Sequence, residues 1–313
     1  MIRRFGLAVA AMALALVGSG GAAVAVAQPA PSAPPARPAT GPAADPARDT
    51  RVPAVLDVAH RGASAYAPEN TLAAIDAAHE LDATTVEIDV QRTRDGELVV
   101  IHDTTLTRTT DAEEVFPGRA SYAVADFTLA ELRRLDAGSW FSAEFAGERV
   151  PTFEEALDRL SRHRLNLLLE VKSPDLYPGI EADIADTLAD HPSWLKPRPE
   201  WKWPRLVVQS FDWESVARSH DLLPDVPHGL LGLVPAEDVD DYTWADQINP
   251  NHTVIDADYV ERVHAAGLEV HTYTVNDPDD MRAAIAAGVD GIISDRPDVA
   301  RRVIAEETAR VRP

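Results

Sequence analysis

Charged residues stand in pairs near the ends of two apolar runs of the sequence. The stretch VEIDV places Glu87 and Asp89 two positions apart in a predicted strand, so both side chains point to the same face. Glu170 and Lys172 repeat this spacing at the end of LLLEVK. Carboxylates that face an apolar core are costly unless something neutralises them, and a divalent cation would do so. Three carboxylates without a thiol favour Ca²⁺ or Mg²⁺, with Mn²⁺ as a further candidate, over zinc.

A buried network of ion pairs is the alternative interpretation of these four residues. Either pair alone would favour such a network and a metal site about equally. Both pairs, however, lie near strand ends, and in a barrel the carboxyl ends of the strands converge on the catalytic face. Two histidines follow apolar runs in the same way, so the combination favours a site.

The two histidines are His60 and His102, and each is followed by a charged residue. Imidazoles beside a cation and an arginine are suited to moving protons between two oxygens near neutral pH. Arg61 and Lys172 supply the local positive charge that a phosphate ester needs. The chain as a whole carries a net charge of −22, so its surface repels nucleic acid and anionic lipid headgroups.

The remaining histidines carry less functional signal. They lie in helical patterns or loops without an evident acidic partner. A packed or surface position is therefore expected for His79, His163, His191, His220, His228, His252 and His264. The sequence leaves both interpretations open for His271.

The N-terminal segment predicts export. Residues 1–27 combine two arginines, a short apolar run and a small-residue site at 25–27, which is typical of a secretory signal peptide. The apolar run is too short for a membrane span, so we expect a secreted protein without stable membrane insertion. Residues 28–53 are rich in Pro and Ala and predict a disordered linker. Because the chain has no Cys, neither a lipid anchor on cysteine nor a disulfide can form.

Residues 54–313 alternate short β-branched runs with helical patterns, which predicts an α/β fold with a parallel sheet. The length of this segment is typical of eight strand–helix units, so we expect a somewhat irregular TIM-type (β/α)8 barrel. The predicted strands are 55–60, 84–91, 97–102, 165–171, 205–210, 228–234, 268–275 and 290–294, with a weaker candidate near Ile248. The predicted helices are 70–81, 128–135, 152–163, 179–190, 213–222, 256–266 and 278–287.

One junction departs from this alternation. The five residues between Gln91 and Glu97 are too few for a parallel crossover, and Asp95-Gly96 is a hairpin signal. A turn centred between Asp95 and Gly96 would pair Asp89 with His102. With this hairpin there are nine candidate strands for eight barrel positions, so either 97–102 or the segment near Ile248 completes the barrel.

A small insertion follows the hairpin at residues 104–150. It contains Arg108 and the aromatic pair Trp140 and Phe141. Loops of this length are often functional, so a cap over the pocket and a plain surface insertion are equally favoured.

Several motifs together resemble the glycerophosphodiester phosphodiesterases. The matching stretches are AHRG, PENT, VEIDVQRTRDGELVVIHDTTLTRTT, LLLEVK, VVQSF, TYTVND and GVDGIISDRPD, in the order of that family and across nearly all of residues 55–299. The resemblance implies a TIM-type barrel that hydrolyses small glycerophosphodiesters to sn-glycerol 3-phosphate and an alcohol. It does not specify the alcohol or an oligomeric state.

The resemblance also implies a role for each candidate residue. A divalent metal would be held by Glu87, Asp89 and Glu170. His60 and His102 would act as acid and base, and Arg61 and Lys172 would contact the phosphate. Glu69 would orient Arg61 or a metal-bound water. The alternative, that Glu69 is only an acidic residue at a helix N-terminus, is nearly as well favoured. Tyr273 stands where many members have Trp and would keep an aromatic wall beside the glycerol.

Two other functions fit parts of this pattern. A related phospholipase, of the sphingomyelinase D or phosphoinositide-specific type, shares the paired histidines and carboxylates and would act on intact lipid. Lipid access would favour an apolar, basic rim at the barrel mouth. The basic aromatic stretch 194–205 is predicted on the opposite face, where its tryptophans would pack over the barrel bottom. A non-catalytic exported binding module is the second alternative, although none of the expected site residues is missing.

Overall fold

The alternation of strands and helices closes into a barrel in the computed structural model of this protein, which describes residues 55–197 and 203–311. The strands are β1 (Leu56–Ala59), β2 (Thr85–Arg92), β3 (Leu98–Val100), β4 (Asn166–Val171), β5 (Leu206–Ser210), β6 (His228–Leu231), β7 (Gln247–Asn249), β8 (Glu269–Thr272) and β9 (Gly291–Ser294). All of these strands except β3 are parallel and run around the barrel in chain order, and β1 pairs with both β2 and β9 to close it. The predicted TIM-type (β/α)8 barrel is confirmed. The predicted signal peptide, 1–27, and linker, 28–53, lie outside the described residues.

The choice between the two candidates for the eighth strand falls on the segment near Ile248. That segment forms β7, which pairs in parallel with β6 and β8. β3 instead pairs antiparallel with β2 and lies outside the closed ring. A strand returning through a short turn can only be antiparallel, so β3 cannot take a position between two parallel strands.

The predicted hairpin register is wrong by one residue. Val90 pairs with Val100, and the amide of Ile101, not of His102, donates to the carbonyl oxygen of Asp89. The amide of Thr93 donates to the carbonyl of Glu97, so the loop holds three residues rather than the two that we assumed. Gly96, the last of the three, has φ +94°, as a three-residue hairpin loop requires.

Seven helices of the described residues cover the outside of the barrel, and two short ones lie in the insertion 104–150. They are α1 (Leu72–Glu80), α2 (Ala112–Val115), α3 (Leu129–Leu132), α4 (Phe153–His163), α5 (Ile180–Asp190), α6 (Trp213–Leu222), α7 (Ala257–Ala265), α8 (Pro278–Ala287) and α9 (Pro297–Val311). α4 begins with a capping box. The Thr152 side chain accepts a hydrogen bond from the Glu155 amide, and the Glu155 side chain accepts one from the Thr152 amide. α9 was not predicted. No helix of the described residues is both long and apolar enough to cross a membrane.

Apolar side chains form cores on both sides of the strands. Two large clusters lie between the strands and the helices. A smaller cluster of Leu56, Val58, Leu168, Val207 and Ile293 contacts Trp203 and Tyr273. The predicted packing of the tryptophan loop against the barrel is confirmed for Trp194, which is buried, and for Trp203, while Trp201 lies outside the described residues.

The insertion 104–150 has an apolar core of its own. Buried residues of this segment, including Leu106, Phe127 and Leu132, pack with Val99 of β3 and with Ile101. The β-hairpin therefore serves as the base on which the insertion folds. Trp140 and Phe141 pack against each other edge to face within this unit.

Candidate active site

Three carboxylates meet at the carboxyl end of the barrel. Asp89 of β2 is the register partner of Glu170 of β4, and Glu87 lies two residues before Asp89 on the same face. One oxygen atom of each carboxylate lies within 4.8 Å of the others, and all three side chains are buried. The two predicted pairs are thus brought together into a group that could hold a metal ion.

The electrostatics of this group depend on burial and on two cations. Burial, with repulsion from Asp89 and Glu170, raises the pKa of Glu87 well above its usual range. Burial and the charge of Asp89 likewise raise the pKa of Glu170 to about 7. Burial acts in the same direction on Asp89, but Lys172 and Arg61 outweigh it and lower its pKa to about 2. Three acids therefore share one buried space with too little positive charge to ionise them all.

The donor set fits a hard divalent cation. Oδ1 of Asp89 is buried and accepts no hydrogen bond, although Lys172 Nζ lies 3.3 Å away. Lys172 Nζ donates to Oε1 of Glu170 at 2.7 Å. All the candidate ligand atoms are carboxylate oxygens, which suit Ca²⁺, Mg²⁺ or Mn²⁺.

Arg61 lies behind the carboxylates in a turn that places its backbone as well as its side chain. Its amide donates to Oε2 of Glu87 at 2.8 Å, and its guanidinium donates to Oε1 of Glu69 at 2.9 Å. The backbone at Arg61 has φ +55°, an uncommon conformation for a residue with a side chain. Gly62 follows with φ +82°, and a Cβ there would lie 2.6 Å from Cβ of Ala74. The sequence His-Arg-Gly is thus required by this turn as well as by chemistry.

Each candidate catalytic histidine is oriented by a carboxylate. Nδ1 of His60 lies 2.7 Å from Oδ1 of Asp295, which follows β9, and Nδ1 of His102 lies 2.7 Å from Oδ1 of Asp103. With a proton on each Nδ1, both rings leave Nε2 for a substrate. Burial is the largest influence on His102 and lowers its pKa, so the neutral form is favoured near neutral pH.

A chain of ion pairs links the second histidine to Arg61. Arg108, from the insertion, donates to both oxygens of Asp103 and to both oxygens of Glu69. Hydrogen bonds from Arg108 hold the pKa of Asp103 far below its usual range. The insertion therefore contacts the site through one guanidinium, an arrangement that neither of the two sequence interpretations anticipated.

Aromatic side chains form one side of the mouth. Tyr273 follows β8 and packs edge to face on Phe211, with their ring centroids 5.8 Å apart. Lys172 Nζ lies 5.9 Å from the centroid of Phe211. Tyr273, which we expected to form an aromatic wall, thus packs on the ring that lies beside Lys172.

Sequence reasoning assigned no role to four polar residues that complete the site. They are Asn70, Asp103, Arg108 and Asp295. The side-chain amide of Asn70 donates to Oδ2 of Asp89 at 2.8 Å. Asn70 belongs to the PENT stretch and Asp295 to SDRPD, so both lay within motifs that we quoted for the resemblance. Their partners are distant in sequence, and the motifs alone do not indicate the contacts.

The other histidines lie at packed or surface positions, as expected, but two have acidic partners that we did not expect. Nε2 of His163 lies 2.7 Å from Asp76, and Nε2 of His264 lies 2.8 Å from Asp290. His271, which the sequence left open, is buried and bonds to Glu269.

The comparison with known proteins decides the family. The sequence model of the Glycerophosphoryl diester phosphodiesterase family matches residues 60–299. The chain belongs to this family. It is similar to the glycerophosphodiester phosphodiesterase of Bacillus subtilis (strain 168), with 35% identity over 264 residues, covering 80% of this chain and 86% of the relative. The glycerophosphodiester phosphodiesterase of Caldanaerobacter subterraneus is 38% identical over 248 residues, covering 78% and 95%.

Solved structures of glycerophosphodiester phosphodiesterases share the fold. An Oleispira antarctica phosphodiesterase, solved in complex with the product sn-glycerol-3-phosphate, superposes with a TM-score of 0.70 and 30% identity, covering 79% of this chain and 96% of that one. The enzyme from Agrobacterium tumefaciens superposes with a TM-score of 0.65 and 29% identity, covering 79% and 99%. The protein is therefore a phosphoric diester hydrolase whose substrates are small glycerophosphodiesters.

Proposed function

We propose that this protein is an exported, metal-dependent glycerophosphodiester phosphodiesterase that uses two histidines for acid–base catalysis. The observation that carries the proposal is the cluster of three buried carboxylates, one of which keeps an oxygen that accepts no hydrogen bond. A buried group of like charges is retained at a cost unless a ligand neutralises it. The products of the proposed enzyme are sn-glycerol 3-phosphate and an alcohol.

The metal ligands are Glu87, Asp89 and Glu170, and the ion is Ca²⁺ or Mg²⁺, with Mn²⁺ as a further candidate. The bound cation supplies Lewis-acid stabilisation of charge that develops on the phosphoryl oxygens. Asn70 keeps Asp89 oriented, because its side-chain amide donates to Oδ2 and leaves Oδ1 directed into the cluster. Arg61 and Lys172 add positive charge for a phosphodiester on a strongly acidic protein.

His102 is the general base in this proposal, and His60 is the general acid. The lowered pKa of His102 keeps its Nε2 unprotonated, so it can take a proton from the attacking hydroxyl. His60, bonded to Asp295 through Nδ1, delivers a proton from Nε2 to the leaving alkoxide. With water as the nucleophile, the P–O bond to its oxygen forms as the P–O bond to the alcohol breaks, so one proton is removed and one is returned. With the glycerol 2-hydroxyl as the nucleophile, the same exchange releases the alcohol and leaves a cyclic phosphate, which water then opens to sn-glycerol 3-phosphate.

Glu69 and Tyr273 have supporting roles. Glu69 holds the guanidinium of Arg61 against the carboxylate cluster, since Arg61 Nε also lies 3.5 Å from Oδ2 of Asp89. Tyr273 lies beside the glycerol moiety, where the half-buried ring restricts how the substrate can enter. Both residues position other groups and take no part in proton transfer.

Export rests on the sequence of residues 1–27, with 28–53 as the linker and 54–313 as the catalytic domain. Expression of the full chain in a secreting host tests this part. We expect mature protein in the medium, with an N-terminus after residue 27 by mass spectrometry. Retention of the whole chain inside the cell would contradict export but would leave the catalytic proposal intact.

Metal dependence is tested on chelator-treated protein. We expect no hydrolysis of glycerophosphocholine until Ca²⁺, Mg²⁺ or Mn²⁺ is restored singly, with sn-glycerol 3-phosphate as the measured product. Glu170→Gln should lose both the activity and the thermal stabilisation by the cation. Asp57→Asn is the control, because Asp57 is a buried carboxylate that bonds to Thr84 at the opposite end of the barrel. Full activity of the metal-free protein would contradict the proposal.

A further inference from the structure

Asp295, the carboxylate that orients His60, is itself held at both of its oxygen atoms. Oδ1 lies 2.7 Å from Nδ1 of His60 and accepts from the hydroxyl of Ser64 at 2.9 Å. Oδ2 accepts from the side-chain amide of Asn276 at 2.6 Å. A carboxylate that is bonded on both sides cannot turn without losing a hydrogen bond. The direction in which Asp295 faces His60 is therefore fixed by groups outside the dyad.

The amide of Asn276 has one favourable orientation. Its Oδ1 accepts from the backbone amide of Asp295 at 3.0 Å and from the hydroxyl of Ser294 at 3.1 Å. Turning the amide over would place Nδ2 against that backbone N–H and Oδ1 against a carboxylate oxygen. Nδ2 of Asn276 is thus directed to Oδ2 of Asp295, and its partners on β9 hold it there.

Three neighbouring strands of the barrel bring these residues together. β8, β9 and β1 are adjacent in the ring, so the loops that leave them lie side by side. The loop after β8, which carries Asn276, is fixed because the amide of Val275 donates to the carbonyl of Ile293 at 2.9 Å. In the loop after β1, the amide of Ala65 donates to the carbonyl of Asp295 at 3.1 Å. The contacts of Asp295 thus depend on the closure of the barrel.

The groups that hold Asp295 are neutral, in contrast to those around the second histidine. Asp103 pairs with Arg108 as well as with His102, so a guanidinium opposes its charge. Among the described residues, His60 is the only basic residue that pairs with Asp295. Asn276 and Ser64 orient this carboxylate through uncharged donors. The full charge of Asp295 therefore lies against the imidazole that donates the proton.

The ionisation of Asp295 agrees with this arrangement. Burial alone would raise its pKa, but the hydrogen bond and charge of His60, together with the bonds from Asn276 and Ser64, lower it to about 2. Asp295 is therefore a carboxylate throughout the pH range in which an imidazole exchanges protons.

We propose that Asn276 is a positioning residue for the proton donor, which it serves by holding Asp295 against His60 without cancelling the charge of that carboxylate. The inference rests on the acid–base roles proposed above and adds a residue that acts through Asp295 alone. Ser64 has a lesser part, because it shares Oδ1 with His60, whereas Asn276 is the partner of Oδ2.

The experiment uses the full chain with its divalent cation and glycerophosphocholine as substrate. We measure kcat and KM for the parent, Asn276→Ala, Asp295→Ala and the double variant. Asn276→Ala should lower kcat by up to about 10²-fold with little change in KM, because a misplaced proton donor affects the chemical step rather than binding. In the Asp295→Ala background, Asn276→Ala should cause no further loss, since the two residues act as one unit.

A second substitution separates this role from a loss of folding. Asn276→Asp keeps an oxygen for the backbone amide of Asp295 but replaces the donor with a second carboxylate. At pH 8 it should lower kcat at least as much as Asn276→Ala while thermal unfolding changes little. Asn251→Ala is the matched control and should leave kcat unchanged. Asn251 is also in a loop, and among the described residues its side chain bonds to Thr253 alone.

The outcomes distinguish the inference from the proposed function. A parent-like kcat for Asn276→Ala would overturn the inference. Losses that multiply in the double variant would also overturn it, because Asn276 would then act by another route. An effect on KM alone would assign Asn276 to substrate binding instead and overturn the positioning role. Failure of the parent protein to cleave glycerophosphocholine, or full activity of His60→Ala, would count against the proposed function.

Discussion

The two halves of the barrel interior handle buried polarity in opposite ways. The register aligns Asp89 of β2, Glu170 of β4, Gln209 of β5 and Gln247 of β7 around the barrel, with Gly229 of β6 between the last two. On one side the aligned residues are carboxylates, which we call the charged half. On the other side they are amides, which with Asn249 form the amide half.

The amide half is held together by hydrogen bonds that side-chain amides donate, one to another amide and one to a carboxylate. Asn249 donates to Oε1 of Gln209 at 2.8 Å, and Gln247 donates to Glu269 at 3.1 Å. Gly229 makes room for this contact, because a Cβ there would lie 2.7 Å from Nδ2 of Asn249. Oδ1 of Asn249 lacks a partner, but it carries no full charge.

The charged half instead leaves Oδ1 of Asp89 and Nε of Arg61 buried without a hydrogen bond. Each of these atoms has an oppositely charged neighbour within 3.5 Å, but a buried charged atom without a hydrogen bond still costs more than one amide oxygen without a partner. This difference favours a structural role for the amide half and a ligand site in the charged half. The same barrel layer can thus serve packing at one place and chemistry at another.

The largest expected effect is on kcat and follows from replacing either of the two histidines that flank the charged half. His60→Ala and His102→Ala should each lower kcat by about 10²–10⁴, because each removes one proton transfer. Thermal unfolding should change little. His264→Ala is the control, since this histidine is paired with Asp290 on the outer helix layer. Near-normal turnover of either variant would remove that histidine from the mechanism.

Acid tests a second buried neutral group, His228, which precedes Gly229 in β6 and faces outward to α6. Burial lowers the pKa of His228 to about 4 from an ordinary value of 6.5, and its ring faces Val226 O, Ser219 Oγ and His220 rather than an acid. Because the unfolded chain binds the proton more tightly, the stabilisation that comes from keeping His228 neutral is complete above pH 6.5 and is lost as the pH falls toward 4. The loss amounts to about 3 kcal/mol.

The measurement is urea unfolding as a function of pH. His228→Gln should be less sensitive than the parent protein between pH 6.5 and 4, since glutamine does not titrate. Parallel curves for the two proteins would show that this histidine is not kept neutral by the fold.

A carboxylate placed in the amide half and an amide placed in the charged half should change the free energy of unfolding in opposite directions. Gln247→Glu places a second carboxylate against Glu269 and removes a donor, which should destabilise the protein by roughly 2 kcal/mol. Glu87→Gln should instead stabilise the metal-free protein, because the amide relieves repulsion and can donate to its acidic neighbours. Chemical denaturation of both variants without metal measures the two changes. Destabilisation by both would mean that the halves do not differ in this way.

The smallest expected effect concerns the insertion. Arg108→Ala should lower kcat about tenfold with little change in KM, because Asp103 and Glu69 lose their shared partner and no longer orient His102 and Arg61. Arg108→Lys should restore little, since an ammonium cannot replace the planar fork. Arg119→Ala, in the same insertion but paired with Glu131, is the control. Equal kcat values for Arg108→Ala and the parent enzyme would make the ion-pair chain merely structural.

Local patterns predicted much of this arrangement. The period of two in VEIDV put Glu87 and Asp89 on one face, and the alternation of strands and helices indicated the barrel and its catalytic end. These features depend on neighbours in the chain, so they can be read without coordinates.

Contacts between distant segments could not be predicted in this way. His60 meets Asp295 across 235 positions, and Arg108 joins Glu69 and Asp103 from an insertion whose packing no local pattern specifies. The hairpin register depended on one extra loop residue, Arg94, which shifted the partner of Asp89 from residue 102 to residue 101.

The sequence by itself determined the residue types, their spacing and therefore the family, because motif chemistry and strand periodicity are local properties. Only the tertiary structure decided that β7 rather than β3 closes the barrel and which carboxylate orients each histidine. Those outcomes depend on which segments become neighbours once the barrel closes, and burial and hydrogen bonding act between such neighbours regardless of their separation in the chain.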